Sequence, residues 1–402
     1  MNLRSVKRAA AAAALSSFVA LAVVPGVSHS ADVLRPEVAK PLNDAQTLYR
    51  ARNYRGALGK IAQAAATPGK TAYETRVIEE MQGAAAMAAG DTDVAAGAYE
   101  ALLSSGELDA ANAQQFSAAL AGIYFQQKNY AAAIRTSQRY QKAGGADPQM
   151  RELQLQSYFL SGDCGNVVAT LKPAVGAALK GGRPPAEPQL QMLAQCAQKT
   201  NDDGARAEAL AALVAYYPKP VYQQQLFDSV RSKSGYFASL DLDIYRLRRA
   251  TGALTTADQY MEMTQLALVA GIPAEAKQVI DQGFASGVLG HDAQAEREKR
   301  LQALVIRRLQ GQNDGNNLPV DPADGALNLV FAGQRQQGVD AVVAAIGKGS
   351  AHPDAARLRL GEAYYYAGQK ARAAQVFGTV KGADGSADLA RLWTLVADRR
   401  ND

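Results

Sequence analysis

Apolar residues recur at helical spacing along most of the chain, and short polar turns interrupt them at regular intervals. The turns Asn53-Tyr54, Gly90-Asp91, Asn129-Tyr130 and Gly162-Asp163 each follow one apolar helical segment and precede another. The Asn or Asp residues of these turns are 38, 38 and 34 positions apart, at Asn53, Asp91, Asn129 and Asp163. This pattern predicts a series of helix–turn–helix hairpins built on one plan.

The apolar positions around these turns also differ in size in a regular way. Small residues such as Ala57, Ala95 and Ala133 follow the turns, whereas larger residues such as Tyr124 and Tyr158 precede them. Small residues allow the two helices of a hairpin to cross closely, and larger ones fill the space between hairpins. The sequence therefore predicts an all-α protein.

One further copy of the hairpin near the C-terminus carries, in order, Leu360-Gly361, Tyr364, Gly368-Gln369, Ala373 and Phe377. This succession of Leu-Gly, aromatic, turn, Ala and aromatic resembles the tetratricopeptide repeat, a helix–turn–helix unit of about 34 residues. The resemblance covers 43–172 and 351–381 clearly and much of the stretch between them more weakly. It implies a right-handed α-solenoid of stacked hairpins with a C-terminal capping helix over 384–399, which places Trp393 on its apolar side.

A longer stretch is similar to a group of secreted proteobacterial tetratricopeptide proteins. It runs from Tyr217-Pro218-Lys219-Pro220 through Ala274-Glu275-Ala276-Lys277 to Gly283-Phe284. Some members of that group accompany TonB-type energised uptake systems. The resemblance implies a Gram-negative periplasm and a helper or scaffold role, and it implies no catalytic residues.

The first thirty residues have the layout of a secretory signal peptide. A basic start is followed by the uncharged run 9–24, by Pro25-Gly26, and by the small residues of Ser28-His29-Ser30 before a predicted cut. The alternative is an uncleaved membrane anchor, but the run is shorter than the roughly 20 residues that a spanning helix needs. We therefore expect a periplasmic protein with no transmembrane anchor after cleavage.

Signal removal changes the charge of the chain. The formal net charge is +5, and the segment 1–30 carries three basic and no acidic residues, which leaves 40 basic against 38 acidic. A nearly neutral chain gives no reason to expect nucleic-acid binding. Three His and two Cys cannot supply a conventional zinc centre. We expect no metal and no cofactor.

The sequence predicts four segments: a signal peptide (1–30), a solenoid (31–310), a loop (311–321), and C-terminal repeats with the capping helix (322–402). The loop is rich in Asn, Gly and Asp, and the oxygen atoms of 313–317 would suit Ca²⁺ in principle. Their spacing differs from that of an EF-hand loop, which favours a connector.

The two cysteines fall on neighbouring predicted helices. Cys164 begins the second helix of the fourth hairpin, and Cys196 lies late in the next helix. Because each helix of a stacked solenoid packs antiparallel to its successor, the two should be neighbours. Export would place them in an oxidising compartment, so we predict a structural disulfide. The alternative is two free, buried cysteines.

Chemistry-bearing residues are sparse. His291 and His352 stand at predicted helix starts, which favours exposed or capping roles. Asp241 and Asp243 are two positions apart on a predicted helix and therefore point to different faces. The chain has no nucleophile elbow, phosphate-binding loop or His-Glu-x-x-His motif. These observations predict a protein that is not an enzyme.

A small basic cluster follows on the same predicted helix, at Arg246, Arg248 and Arg249. Arginines grouped in this way favour a solvated helix face. Binding of an anionic partner is the alternative.

In tetratricopeptide proteins the first helices of the repeats line a concave groove, and positions just after the core aromatic face it. The corresponding residues of this chain are Tyr49, Arg50, Met87, Phe125, Gln126, Phe159, Leu160, Tyr365 and Tyr366, with Gln156 and Glu362 one turn earlier. Two interpretations stay open. The rings pack between neighbouring helices, or they form a ladder of aromatic and amide groups that holds an extended peptide or polymer.

Together these features predict a non-catalytic periplasmic protein–protein interaction scaffold that uses its concave groove. Its partner would be a protein or peptide of the cell envelope, in TonB-type uptake, secretion or polymer assembly. The alternative is a glycan- or peptidoglycan-binding or hydrolytic protein that uses the same groove. A third option is self-assembly through the terminal helix around Trp393.

Overall fold

The computed structural model describes residues 33–311 and 322–398. The predicted signal segment and the oxygen-rich part of the predicted loop lie outside the described residues. Within the two described ranges the chain forms twenty helices and no strand. The predicted all-α fold is confirmed, and the helices stack as the hairpins of an α-solenoid. The chain divides into two compact units after Val167, a boundary that the sequence pattern did not indicate.

From residue 33 onwards the first unit has seven helices and the start of an eighth: α1 (Pro36–Arg50), α2 (Tyr54–Ala65), α3 (Ala72–Ala89), α4 (Thr92–Ser105), α5 (Ala110–Gln126), α6 (Tyr130–Lys142), α7 (Pro148–Ser161) and α8 (Cys164–Lys180). The pairs α1–α2, α3–α4 and α5–α6 form antiparallel hairpins, and each hairpin packs on the next. Their interior is apolar, with fully buried residues such as Leu42, Leu102 and Leu120.

The Asn and Asp residues of the predicted turns begin the second helix of each hairpin. Asn53, Asp91, Asn129 and Asp163 each accept a hydrogen bond from the backbone N–H three residues later, at 3.0–3.3 Å. Asp202 does the same in the second unit at 2.9 Å. These bonds satisfy N–H groups that a helix start leaves free. The repeat that the sequence shows is therefore a repeat of helix N-caps.

The predicted alternation of small and large residues at the helix crossings is also seen in the structure. A Cβ atom on Gly83 would lie 2.3 Å from the ring of Tyr99, and one on Gly361 would lie 2.3 Å from the ring of Phe377. In both hairpins the glycine precedes the aromatic residue by 16 positions. Only a glycine permits this close helix crossing against an aromatic ring.

The second unit continues with α9 (Glu187–Lys199), α10 (Asp203–Tyr216), α11 (Pro220–Arg231), α12 (Leu240–Ala250), α13 (Ala257–Val269), α14 (Pro273–Ala285), α15 (Ala295–Leu309), α16 (Pro322–Phe331), α17 (Arg335–Gly347), α18 (Pro353–Tyr366), α19 (Lys370–Phe377) and α20 (Ser386–Asp398). Hairpins form between α9 and α10, α13 and α14, α16 and α17, and α18 and α19.

The terminal helix closes the second unit on itself. α20 packs on α18 and α19, as a capping helix does, and it also packs on α10, α11 and α12. Its Trp393 is fully buried, stacks on Phe377 with ring centroids 5.6 Å apart, and contacts Tyr365 at 4.8 Å. Because no part of Trp393 is exposed, it offers no surface for the self-assembly considered above.

A charged network fills the middle of this closed unit. The guanidinium of Arg246 is fully buried and bonds to both carboxylate oxygens of Glu275, at 2.9 and 2.7 Å. Its Nη1 also donates to Asp243 at 2.8 Å and to Glu362 at 2.9 Å. The expectation that Arg246 lies on a solvated helix face is therefore wrong. Side chains from α14 and α18 contact it in the closed unit, and the carboxyl groups of Asp243, Glu275 and Glu362 are its hydrogen-bond partners.

A second buried arginine extends the network. Arg359 contacts Asp324 at 2.6 Å and Asp243 at 3.5 Å. The indole Nε1 of Trp393 donates to Glu362 at 3.0 Å. The network thus joins α12, α14, α16, α18 and α20 through four carboxyl groups and two guanidinium groups. Burial, followed by the negative charge of Asp243, raises the pKa of Glu362 well above its ordinary value.

The predicted disulfide is present. Cys164, at the start of α8, and Cys196, in the last turns of α9, are both buried and both disulfide-bonded. Because these are the two cysteines of the chain, they are bonded to each other.

Candidate interaction groove

In the first unit the predicted groove residues occupy equivalent places on successive hairpins. Tyr49, Met87, Phe125 and Phe159 lie in the last turns of α1, α3, α5 and α7, each four positions before the capping Asn or Asp. All four are half-buried. The adjacent side chains Arg50, Gln126 and Leu160 are exposed, with Leu160 50% accessible.

Two of these rings make a recurring contact inside their own hairpin. Tyr49 packs edge-on against Tyr54 with centroids 5.2 Å apart, and Phe125 packs edge-on against Tyr130 at 5.8 Å. In each case the last turn of the first helix contacts the first residue of the second. Part of each ring is therefore packed against a neighbouring helix, which is the first of the two interpretations above. The rest of each ring is exposed to solvent.

Two other predicted groove residues of the first unit, Met87 and Gln156, contact neighbouring side chains of the protein. Met87 packs against the apolar core around Tyr99. Gln156 is 9% accessible, and its amide donates to Glu152 at 2.9 Å.

The three predicted groove residues of the second unit belong to its closed core. Glu362 is fully buried and bonded to Arg246 and Trp393. Tyr365 contacts Trp393, and Tyr366 contacts Phe331 at 4.8 Å. In the closed unit Glu362 has no surface with which to contact a partner, because α20 returns over α18 and covers it.

The second unit carries a different groove, between α9, α10 and α11. A cavity of about 470 Å³ is lined by Gln191, Gln195, Gln198, Ala194, Arg206, Leu210, Leu213, Val221, Tyr222 and Gln225. Gln191, Gln195 and Gln198 are exposed along one face of α9, and Val221 on the facing helix is 51% accessible. Four amides, one cation and several apolar groups therefore share one surface.

This groove was missed from the sequence, although a usable signal was present. Gln198 stands four positions before the capping residue Asp202, as Phe159 stands before Asp163. Gln195 stands seven positions before Asp202, as Gln156 stands before Asp163. The same offset therefore identifies the groove face of α9. The groove is inconspicuous in the sequence because α9 carries Gln198 where α1, α5 and α7 carry an aromatic residue.

Hydrogen bonds fix one end of the groove and leave the other end open. The hydroxyl of Tyr222 accepts from the amide of Gln191 and donates to Glu187, which also pairs with Lys219. Bonding to Lys219, and then to Tyr222, lowers the pKa of Glu187. Within the described residues the side chains of Gln195 and Gln198 make no hydrogen bond.

The spacing of the amides suits an extended polypeptide. Residues four apart on a helix are about 6 Å apart along its axis. Alternate residues of an extended chain are about 6.6–6.8 Å apart. A glutamine amide both donates and accepts, as does each peptide group. Gln191 and Gln195 can therefore pair with successive same-side peptide groups.

The described part of the chain shows little that would support other chemistry. In residues 33–311 and 322–398, no three or more His, Cys, Asp or Glu side chains are placed to hold a metal ion. None of the helices in those ranges combines the length and apolar character that a bilayer crossing requires.

Comparisons with known proteins were made with family models, curated proteins and solved structures. No protein-family model matches the sequence, and no curated protein matches it. One solved structure that resembles the chain is described as Naa15/Naa10 bound to HypK-THB, with 15% sequence identity and a TM-score of 0.32. The aligned region covers 87% of this chain and 58% of the solved one. A similarity this low supports no inference about function.

Proposed function

We propose that this chain is a non-catalytic protein-interaction scaffold that binds an extended segment of a partner protein in the groove between α9 and α11. The observation that carries the proposal is the row Gln191, Gln195 and Gln198, exposed along one face of α9 and lining a cavity of about 470 Å³. Amides at this spacing can pair with the backbone of a partner of varied sequence. Val221 and the apolar lining supply contact area beside them.

The proposed compartment is the periplasm, and the proposed partner is a protein of the cell envelope. The layout of residues 1–30 and the buried disulfide support this, because disulfides persist in oxidising compartments. Energised uptake, secretion and polymer assembly are the envelope processes that such a scaffold would assist. The mass of the mature chain tests the proposal, since cleavage after Ser30 removes thirty residues.

A scaffold fits the carboxylates of the second unit better than a hydrolase does. Asp243, Glu275 and Glu362 are fully buried and bonded to Arg246. A glycosidase needs two carboxyl groups that face a substrate. These three groups are instead turned inwards as structural partners of an arginine.

A photocrosslinking experiment tests the groove. A photoreactive residue is placed at Gln195, and the matched control carries it at Lys277, which is exposed on α14. We expect a defined envelope protein to be captured at position 195 and not at 277. Adding Gln191→Ala and Gln198→Ala should reduce capture. The proposal fails if both positions capture the same proteins, or if the two substitutions leave capture unchanged.

The half-buried row of the first unit is proposed as a second contact surface. Phe159→Ala removes the ring that lies beside the exposed Leu160. Loss of capture in this variant, with unchanged thermal unfolding, supports a contact role. Unchanged capture assigns the ring to packing alone.

A further inference from the structure

A second cavity in the closed unit surrounds Arg248 on α12. It measures about 420 Å³ and lies between the ends of α11, α12 and α13. Polar neutral groups dominate its wall, among them Gln223, Gln224, Thr255 and Gln259. Arg248 is the one charged residue in that lining. The cavity is therefore a polar pocket with a single positive charge.

Arg248 is held in place by aromatic rings. Its guanidinium carbon lies 4.9 Å from the ring centroid of Phe227 and 5.8 Å from that of Tyr245. A cation–π contact uses the positive charge of the guanidinium and leaves its N–H groups free to donate elsewhere. Arg248 is thus oriented without using its hydrogen-bond donors.

Those donors lack partners within the described residues. The Nε of Arg248 is buried without a hydrogen bond, and no ion pair involves its guanidinium there. The neighbouring arginines differ, since Arg231 bonds to Asp241 at 2.7 Å and Arg249 to Gln282 at 2.9 Å. An unsatisfied buried donor on a charged group is costly and calls for an explanation.

The nearby acids do not supply that partner. Glu262 accepts the hydroxyl hydrogen of Tyr245 at 2.6 Å, and Asp228 is exposed to solvent. Burial lowers the pKa of Arg248, which is the direction expected for a cation whose loss of water no close carboxylate offsets.

We infer that this pocket is a binding site for a carboxylate group, with Arg248 as its anchor. A guanidinium offers two parallel N–H groups that match the two oxygens of a carboxylate. A single positive charge among neutral amides and hydroxyls matches a monoanion better than a phosphate dianion. The amides of Gln223 and Gln224 line the same space and suit the polar group that adjoins the carboxylate. The ligand class is thus an acylated amino acid or the C-terminus of a peptide.

Binding to the intact mature chain tests the site, measured by ligand-observed NMR with four probes. The probes are N-acetyl-alanine, acetyl-trialanine with a free C-terminal carboxylate, the C-terminal amide of that tripeptide, and inorganic phosphate. We expect both carboxylates to bind, and the amide and phosphate to bind at least tenfold more weakly, as loss of a charge-assisted contact implies. A tripeptide that binds more tightly than the single residue identifies a peptide C-terminus, and equal binding identifies a small carboxylate.

Variants separate recognition from packing. Arg248→Gln should weaken carboxylate binding roughly 10- to 100-fold. The matched control Arg249→Gln, one position along the same helix, should leave it unchanged. Arg248→Lys keeps the charge but not the paired donors, so intermediate binding is expected even if Arg248→Gln fails to fold.

The inference is overturned if the amide binds as well as the acid, or if Arg248→Gln binds like the unmodified chain. Phosphate binding equal to that of the carboxylates would also overturn it. None of these readouts depends on crosslinking at Gln195, so the proposed groove and this site can fail independently.

Discussion

Three arginines that lie close together on α12 have three different environments. Arg246 is fully buried among carboxylates, Arg248 stacks between two rings, and Arg249 bonds to glutamines at the surface. The sequence presents them as one basic cluster. Their environments differ because the helix turns successive side chains towards different neighbours.

Arg246→Ala should destabilise the second unit strongly. It removes the buried cation to which Asp243, Glu275 and Glu362 are bonded, and breaking a buried ion pair typically costs about 3–5 kcal/mol. Arg249→Ala, which removes a surface hydrogen bond, should change the free energy of unfolding by less than about 0.5 kcal/mol. Urea denaturation of both variants measures the difference. Equal effects would contradict the network described here.

Glu362 should make stability depend on pH in an unusual direction. Its pKa is raised above the ordinary value of 4.5, so the folded chain holds its proton more tightly than the unfolded chain does. Its contribution is therefore fully present below about pH 4.5 and is lost as the pH rises towards the folded-state pKa. The slope is at most about 1.4 kcal/mol per pH unit.

Comparison with Glu362→Gln isolates this effect, because glutamine cannot titrate. The free energy of unfolding of the unmodified chain, relative to the variant, should fall over a pH range that begins near the ordinary pKa of 4.5. Urea denaturation across that range measures it. A constant difference would mean that the pKa of Glu362 is not raised.

At the scale of elements, two recurring devices build the hairpins. An Asn or Asp caps α2, α4, α6, α8 and α10. In two hairpins a glycine, Gly83 or Gly361, admits the aromatic ring of the partner helix. Both are local consequences of residue type, which explains why the repeat can be read without a structure. The side chains at other positions differ more from hairpin to hairpin, and the glutamines of α9 are an example.

Two buried glycines of the first unit should respond oppositely to alanine. A Cβ at Gly83 would overlap the ring of Tyr99, whereas a Cβ at Gly122 meets nothing within 4 Å. Gly83→Ala should therefore destabilise the protein by about 1–3 kcal/mol through crowding. Gly122→Ala should stabilise it by up to about 1 kcal/mol, because alanine loses less backbone entropy in a helix. Thermal unfolding of both variants decides between these signs.

At the scale of the whole molecule, links between distant parts of the chain constrain the solenoid hairpins. In the second unit α20 returns to α10, α11 and α12, and the central network ties Arg246 to Glu362, 116 positions away. The disulfide between Cys164 and Cys196 closes a shorter loop of the chain. The network limits how far the hairpins of the second unit can separate.

Reduction of the disulfide should lower stability by about 3–4 kcal/mol in the chain-entropy model, since the closed loop is about 30 residues long. The double variant Cys164→Ala/Cys196→Ala should unfold like the reduced chain and should not respond to reductant. Intact mass before and after reduction, together with urea denaturation, provides the measurement. Two free thiols in the unreduced mature chain would contradict the bond.

The sequence by itself determined the local architecture. Helix-spaced apolar residues predicted the helices, the spaced Asn and Asp residues predicted the hairpin turns, and two cysteines on neighbouring helices predicted a bond. These features depend on contacts within a hairpin or between successive helices. The order and spacing of nearby residues are therefore enough to predict them.

Only the tertiary structure decided which faces remain accessible. It buried Glu362 and Trp393 when α20 returned to α12, and it left Gln195 exposed on α9. It also gave Arg246 and Arg248 different environments: Arg246 lies in a buried ion pair, and Arg248 lies against aromatic rings. Such outcomes depend on contacts between different hairpins, some of them between residues more than a hundred positions apart, such as Arg246 and Glu362. Helical periodicity carries no information about those contacts.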